Sequence, residues 1–127
     1  IKHLKILNKE AIKHNRVIQC LLQIKIAEEK KKSGITYLEA IQILKSDIYL
    51  NMKNVKIIGL MGIATFSQNK NKIYDEFKYL YQIFNIFKEK NNEFNIISMG
   101  MSNDYNIAIK CGSNMIRIGN AIFGFRN

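Results

Sequence analysis

Between residues 17 and 26 apolar and polar positions alternate singly. Ile18, Cys20, Leu22, Ile24 and Ile26 fall on one side, and Gln19, Gln23 and Lys25 on the other. A period of two without glycine or proline predicts a strand. Ahead of it Leu4, Leu7 and Ala11 share one face at helical spacing, which predicts an opening helix. Thr36-Tyr37-Leu38-Glu39 has the form of a capping box, and Leu38, Ile41, Leu44 and Ile48 follow at helical spacing, so a helix of about three turns begins there. Residues 55 to 64 are nearly all apolar, a short run that reads as a strand buried on both faces. After a polar turn at Ser67-Gln68-Asn69, the positions Ile73, Phe77, Leu80, Phe84 and Phe87 form the stripe of a long amphipathic helix, expected to be core. Residues 94–99 read as a third strand, 103–110 as a short helix and 115–118 as a fourth strand.

Strands alternating with helices imply parallel βαβ units. Four such strands suit either an open doubly wound sheet or one half of a (β/α)8 barrel, whose usual length is about 250 residues. Gln19, Gln23, Ser98 and Arg117 occupy strand positions on the side away from the helices, as the lumen of a barrel requires.

Composition narrows the class. A chain of 127 residues, 47% of them hydrophobic, suits one globular domain. No run of eighteen apolar residues suggests a membrane span and no leader pattern opens the chain, so a soluble, cytoplasmic protein is expected. Cys20 and Cys111 are far apart and form neither a disulfide framework nor a metal motif. His3 and His14 lie on a polar helix and read as surface residues. The net charge of +10 comes from lysines spread through nearly every segment, the one dense cluster being Lys30-Lys31-Lys32. A scattered excess of this kind reads as solvated helix faces, so no nucleic-acid partner is expected; a basic nucleic-acid-binding domain is the remote alternative.

The chemistry concentrates near the C-terminus. Ser98, Gly100 and Ser102 share parity at the C-terminal end of a strand, where parallel α/β folds bind ligands. Ser102 precedes a helix, so its hydroxyl either caps that helix or joins its free amides in receiving a phosphate. Arg117 sits within an apolar strand, and a buried guanidinium needs a carboxylate, a carbonyl or a ligand. The backbone amides of Gly119 and Asn120, just after it, would form a second anion site.

Four motifs together carry a resemblance: Lys32-Ser33-Gly34-Ile35, Gly59-Leu60-Met61-Gly62-Ile63, Ser98-Met99-Gly100-Met101-Ser102-Asn103-Asp104, and Ile116-Arg117-Ile118-Gly119-Asn120-Ala121-Ile122-Phe123-Gly124. In order and spacing they resemble the pyridoxal phosphate homeostasis protein family, whose members look like the N-terminal barrel domain of alanine racemase and bind pyridoxal 5′-phosphate (PLP). The resemblance implies that Ser102, with amides at Gly119 and Asn120, holds the phosphate, that Arg117 faces the pyridine nitrogen, and that Ser98 and Met99 line the pocket. Asn120 departs from the Thr or Ser often found in the family, which keeps the backbone contact and drops the hydroxyl one.

It also implies what the chain does not contain. The family's Schiff-base lysine lies on the first barrel strand, in a motif like Val-Ser-Lys, and nothing here matches it. Residues 1–127 are therefore expected to be a single partial domain, strands five to eight of a PLP-binding (β/α)8 barrel. The implied function is PLP homeostasis, as a cofactor carrier or buffer without established catalysis, with PLP-requiring apo-enzymes as recipients. A PLP-dependent racemase-like enzyme is the alternative. An arginine at the pyridine nitrogen weakens the ring as an electron sink, and the tyrosine base of the racemase belongs to a separate domain. Either an N-terminal half or self-association of two copies would close the barrel.

Overall fold

The computed structural model describes residues 1–29, 33–119 and 122; Lys30-Lys31-Lys32 lie outside them. Its elements run α1 (Lys2–Lys13), β1 (Ile18–Gln23), α2 (Tyr37–Lys45), α3 (Asp47–Leu50), β2 (Val55–Gly62), α4 (Lys70–Lys90), β3 (Ile96–Met99) and α5 (Tyr105–Lys110). The three strands form one parallel sheet in sequence order, with β2 in the centre. That position explains why the sequence of β2 is so apolar: it is buried along most of its length.

The sheet carries a bulge. Register passes from Cys20 opposite Ile57 to Leu21 opposite Gly59, which makes Ile58 the extra residue. The Tyr49 hydroxyl accepts a hydrogen bond from the Ile57 amide at 2.8 Å, and the Ile58 carbonyl accepts one from Asn95 N at 2.8 Å. The bulge shifts the parity of β2, so that Val55 and Ile57 before it and Leu60 after it all join the same core. It also needs Gly59, where a Cβ would stand 1.8 Å from the carbonyl oxygen of Ile96.

One hydrophobic cluster draws on Leu4 of α1, Ala40 of α2, the apolar stripe of α4, and Ala108 of α5, so the helices cover one face of the sheet. Ile73, Phe77, Leu80, Phe84 and Phe87 of α4 are all buried in it, together with Ile83. The opposite face carries Gln19, Leu21 and Gln23 of β1, Met61 of β2, and Ile96 and Ser98 of β3, none of which belongs to the cluster.

Three expectations change. Leu7 is exposed, and the buried side chains of α1 are Leu4 and Ala11. The Thr36 capping box forms as expected, with Thr36 Oγ1 accepting from Glu39 N and Glu39 Oε1 accepting from Thr36 N, both at 3.1 Å. Yet Leu38 is exposed within α2, and Ile48 is exposed because the helix breaks at Ser46 (ψ 141°). Ser46 Oγ donates to Ile43 O at 2.7 Å and accepts from Tyr49 N at 3.2 Å, so it restarts the chain as α3 with Tyr49, not Ile48, packed against the core. Residues 115–118 do not form a regular fourth strand. They pair with β3 through a single bridge, Ser98 with Met115. The ladder stops there because Gly100, with φ +108°, takes the end of β3 out of extended conformation.

Candidate functional site

Gly100 shapes the end of β3. A Cβ on it would lie 2.8 Å from Ala108 Cβ and 3.2 Å from Tyr105 Cα, so only glycine allows both the positive φ and the close approach to α5. The chain then turns through residues 102–104, and Asp104 Oδ1 accepts from Met101 N at 2.8 Å. The following helix starts at Tyr105 with Asp104 at its cap position, two residues beyond Ser102. Ser102 therefore does not cap the helix. Its hydroxyl instead accepts from Gly119 N at 3.3 Å, which joins two of the residues expected to bind an anion.

The segment carrying Arg117 is fastened to β3 by backbone bonds: Met115 N to Ile97 O at 3.2 Å, Met99 N to Met115 O at 3.1 Å, and Arg117 N to Gly100 O at 2.9 Å. Two side chains reinforce it. Ser113 Oγ donates to Met99 O at 2.6 Å, and Asn114 Oδ1 accepts from Ile97 N at 2.9 Å. This fastening places the guanidinium across the sheet. Arg117 Nη1 donates to Ser98 Oγ at 2.9 Å and Nη2 donates to the carbonyl oxygen of Gly62 at 3.0 Å. Burial pushes the guanidinium pKa down, and the charge of buried Asp104 opposes that shift. Of the three partners that sequence left open, a carbonyl is met directly and a carboxylate acts through space, while the hydroxyl of Ser98 is a further direct partner.

The expected site residues therefore separate. Ser98 meets Arg117, and Ser102 meets Gly119. Met99 does not share the site, because its side chain is fully buried in the core between sheet and helices and only its backbone faces the Arg117 segment. Asn120 lies outside the described residues. Three participants were not anticipated: Gly62, through its carbonyl; Asp104, through its charge; and Met61, which pairs with both Gln23 and Ser98 at the centre of the open face. Met61 and Gly62 sit in the glycine-rich run 59–63, a signal for close backbone approach that does not say to which side chain.

A guanidinium has five N–H donors, and Arg117 commits one to each of two protein acceptors. The remaining guanidinium donors and, two residues on, the Gly119 amide, which already donates to Ser102 Oγ, form a polar cluster at the C-terminal end of a parallel sheet. Among the described residues, nothing stands within 4 Å of a Cβ built on Gly119. Such a cluster suits an acceptor-bearing, anionic ligand. Among the described residues no group of His, Cys, Asp and Glu is placed to hold a metal ion, and no helix is long and apolar enough to cross a membrane.

Residues 1–127 match the family described as alanine racemase, N-terminal domain. The chain is 36% identical over 123 residues to the pyridoxal phosphate homeostasis protein of Haemophilus influenzae, covering 95% of this chain and 51% of that protein. It is also 36% identical over 106 residues to the protein of that name from Helicobacter pylori 26695, covering 84% of this chain and 46% of that one. The chain thus spans about half the length of the curated relatives it matches. Among solved structures, PipY of Synechococcus elongatus without PLP superposes with a TM-score of 0.79 at 25% identity, over 93% of this chain and 55% of that one. PipY with PLP bound gives 0.78 at 23% identity, over 95% and 56%, a likeness of fold.

Proposed function

Because this chain belongs to the alanine racemase N-terminal domain family, we propose that residues 1–127 are strands five to eight of a (β/α)8 barrel that binds PLP as a carrier or buffer in the cytoplasm. The reading supposes no catalysis of its own and takes PLP-requiring apo-enzymes as recipients. The observation that carries it is the Arg117 guanidinium, fixed by Ser98 Oγ and Gly62 O at the C-terminal end of the sheet, two residues before the Gly119 amide held by Ser102.

These residues fit the group. In this reading the phosphate displaces Ser102 Oγ as the acceptor of the Gly119 amide. Arg117 is the donor for the pyridine nitrogen, and Ser98 holds that donor in place. When bound, PLP supplies an aldehyde and an electron-withdrawing ring. An arginine partner leaves the ring nitrogen unprotonated and weakens that withdrawal, which favours storage over carbanion chemistry. The names of the curated relatives agree with a homeostatic role.

Support for the barrel assignment comes from the helices, which cover a single face of the parallel sheet, where a doubly wound fold covers both. In this reading the outer edge of β1, which among the described residues pairs only through the Ile24–Ile35 bridge, and the Arg117 segment are closed by an N-terminal half or by a second copy of this chain. Sedimentation of the isolated chain distinguishes them: a dimer means that a second copy suffices, and a monomer that the other half is required.

The test is a PLP titration of the chain, followed by desalting and absorbance. Since no residue here matches the family lysine, reversible binding that Arg117→Ala weakens is the expected result. Binding unaffected by Arg117→Ala and by Ser102→Ala overturns the proposed site.

A further inference from the structure

At the opposite end of the sheet, where the chain enters β2 and β3, a cavity of about 250 Å³ opens between α2, α3 and α4. Tyr37, Tyr49, Phe87 and Phe94 contribute rings to its wall. The ring centres of Tyr37 and Phe87 lie 5.8 Å apart, and those of Phe87 and Phe94 5.5 Å, the spacing of tilted and edge-on aromatic pairs. The Tyr49 hydroxyl is held on the Ile57 amide, which fixes that ring. An apolar cavity of about 150 Å³ accommodates benzene, so this one has room for a ring and a short chain.

Among the described residues, the charged ones lining the cavity are Lys45 and Lys90. Among the described residues neither has a carboxylate partner. Each stands in the last turn of its helix, α2 or α4, where it faces the negative end of that helix's dipole. A helix C-terminus carries roughly half a negative charge. Lys45 and Lys90 set two ammonium groups beside an apolar mouth, a match for a carboxylate.

We propose that this cavity is a second binding site, separate from the Arg117 cluster, for a small aromatic monocarboxylate whose ring enters among the four aromatic side chains and whose carboxylate meets Lys45 and Lys90. The proposal does not depend on PLP binding.

The test uses 3-phenylpropionate and its uncharged analogue 3-phenylpropanol, each titrated into the ¹⁵N-labelled chain and followed by amide shifts. Saturable shifts are expected in residues 37–50 and 86–94, with the carboxylate bound about fivefold more tightly than the alcohol, as two exposed ion pairs allow. The double variant Lys45→Gln/Lys90→Gln changes only surface side chains; it is expected to keep the affinity for the alcohol and lose the preference for the acid. Equal affinity of the wild-type chain for the two probes overturns the proposal. So does a preference that survives the double substitution, shifts confined to the surroundings of Arg117, or no binding to a chain with a dispersed spectrum.

Discussion

Replacing Arg117 by alanine removes both hydrogen bonds that tie the last segment across the sheet. Each is donated by a charged group, a class worth roughly 1.5–3 kcal/mol when desolvated. Two corrections pull in opposite directions. The half-buried guanidinium regains hydration when it is not held in the fold, which reduces the loss. Ser98, only 1% exposed, keeps its hydroxyl buried without Arg117, which adds about 1–3 kcal/mol if no water replaces it. A net loss of about 2 kcal/mol is expected from these opposing amounts. Urea unfolding followed by circular dichroism measures it as a shift in midpoint at constant slope. Arg117→Lys keeps the charge but presents one ammonium in place of a planar fork, so it is expected to recover only part of the loss. The decisive comparison is a double-mutant cycle: Ser98→Ala is expected to cost about 1 kcal/mol less in the Arg117→Ala background than in the wild type. Additivity within about 0.3 kcal/mol would refute the reasoning, since groups that do not touch add. PLP retention is expected to fall about tenfold or more in Arg117→Ala, by the loss of one charged hydrogen bond.

Gly100→Ala should destabilise the fold by about 1–3 kcal/mol, because its φ of +108° and the 2.8 Å approach to Ala108 Cβ both oppose a side chain; thermal unfolding measures this. Gly119→Ala is the counterpart: among the described residues nothing stands within 4 Å of its Cβ, so stability is expected to stay within about 0.5 kcal/mol while PLP binding weakens. Glu39, held below the usual carboxylate range by its bonds to Thr36, contributes stability that is present above the ordinary glutamate pKa near ~4.3 and lost as pH falls through its lower folded value. An acid titration of Glu39→Gln is expected to show a flatter limb in that window, and identical limbs would remove the capping box as the cause. Burial raises the pKa of both Cys20 and Cys111, so both thiols are expected to react slowly with a disulfide reagent at neutral pH and promptly in denaturant.

Much of the fold was legible because periodicity reports burial directly. The spacing of Ile73, Phe77, Leu80, Phe84 and Phe87 found the buried face of α4, and the alternation around Leu22 and Ile24 found β1 and its core side. The Thr36–Glu39 capping box is a contact between near neighbours and needs no tertiary information. Arg117 and Ser98 stood out because a polar group on a buried strand must find a partner. Where local pattern and packing conflicted, packing decided. Leu38 and Ile48 share a helical face on paper, yet Ser46 interrupts that helix and gives the inward position to Tyr49. Met99 adjoins Ser98 in sequence, but strand parity places its side chain in the core. The partner of Arg117 at Gly62 lies 55 residues away in the chain and is a backbone carbonyl, for which no residue type is a signal. The chain's sequence by itself determined which elements form and that a cation sits near the end of the sheet. Only the tertiary structure decided what that cation holds, because the register of a bulged parallel sheet sets which strand ends meet.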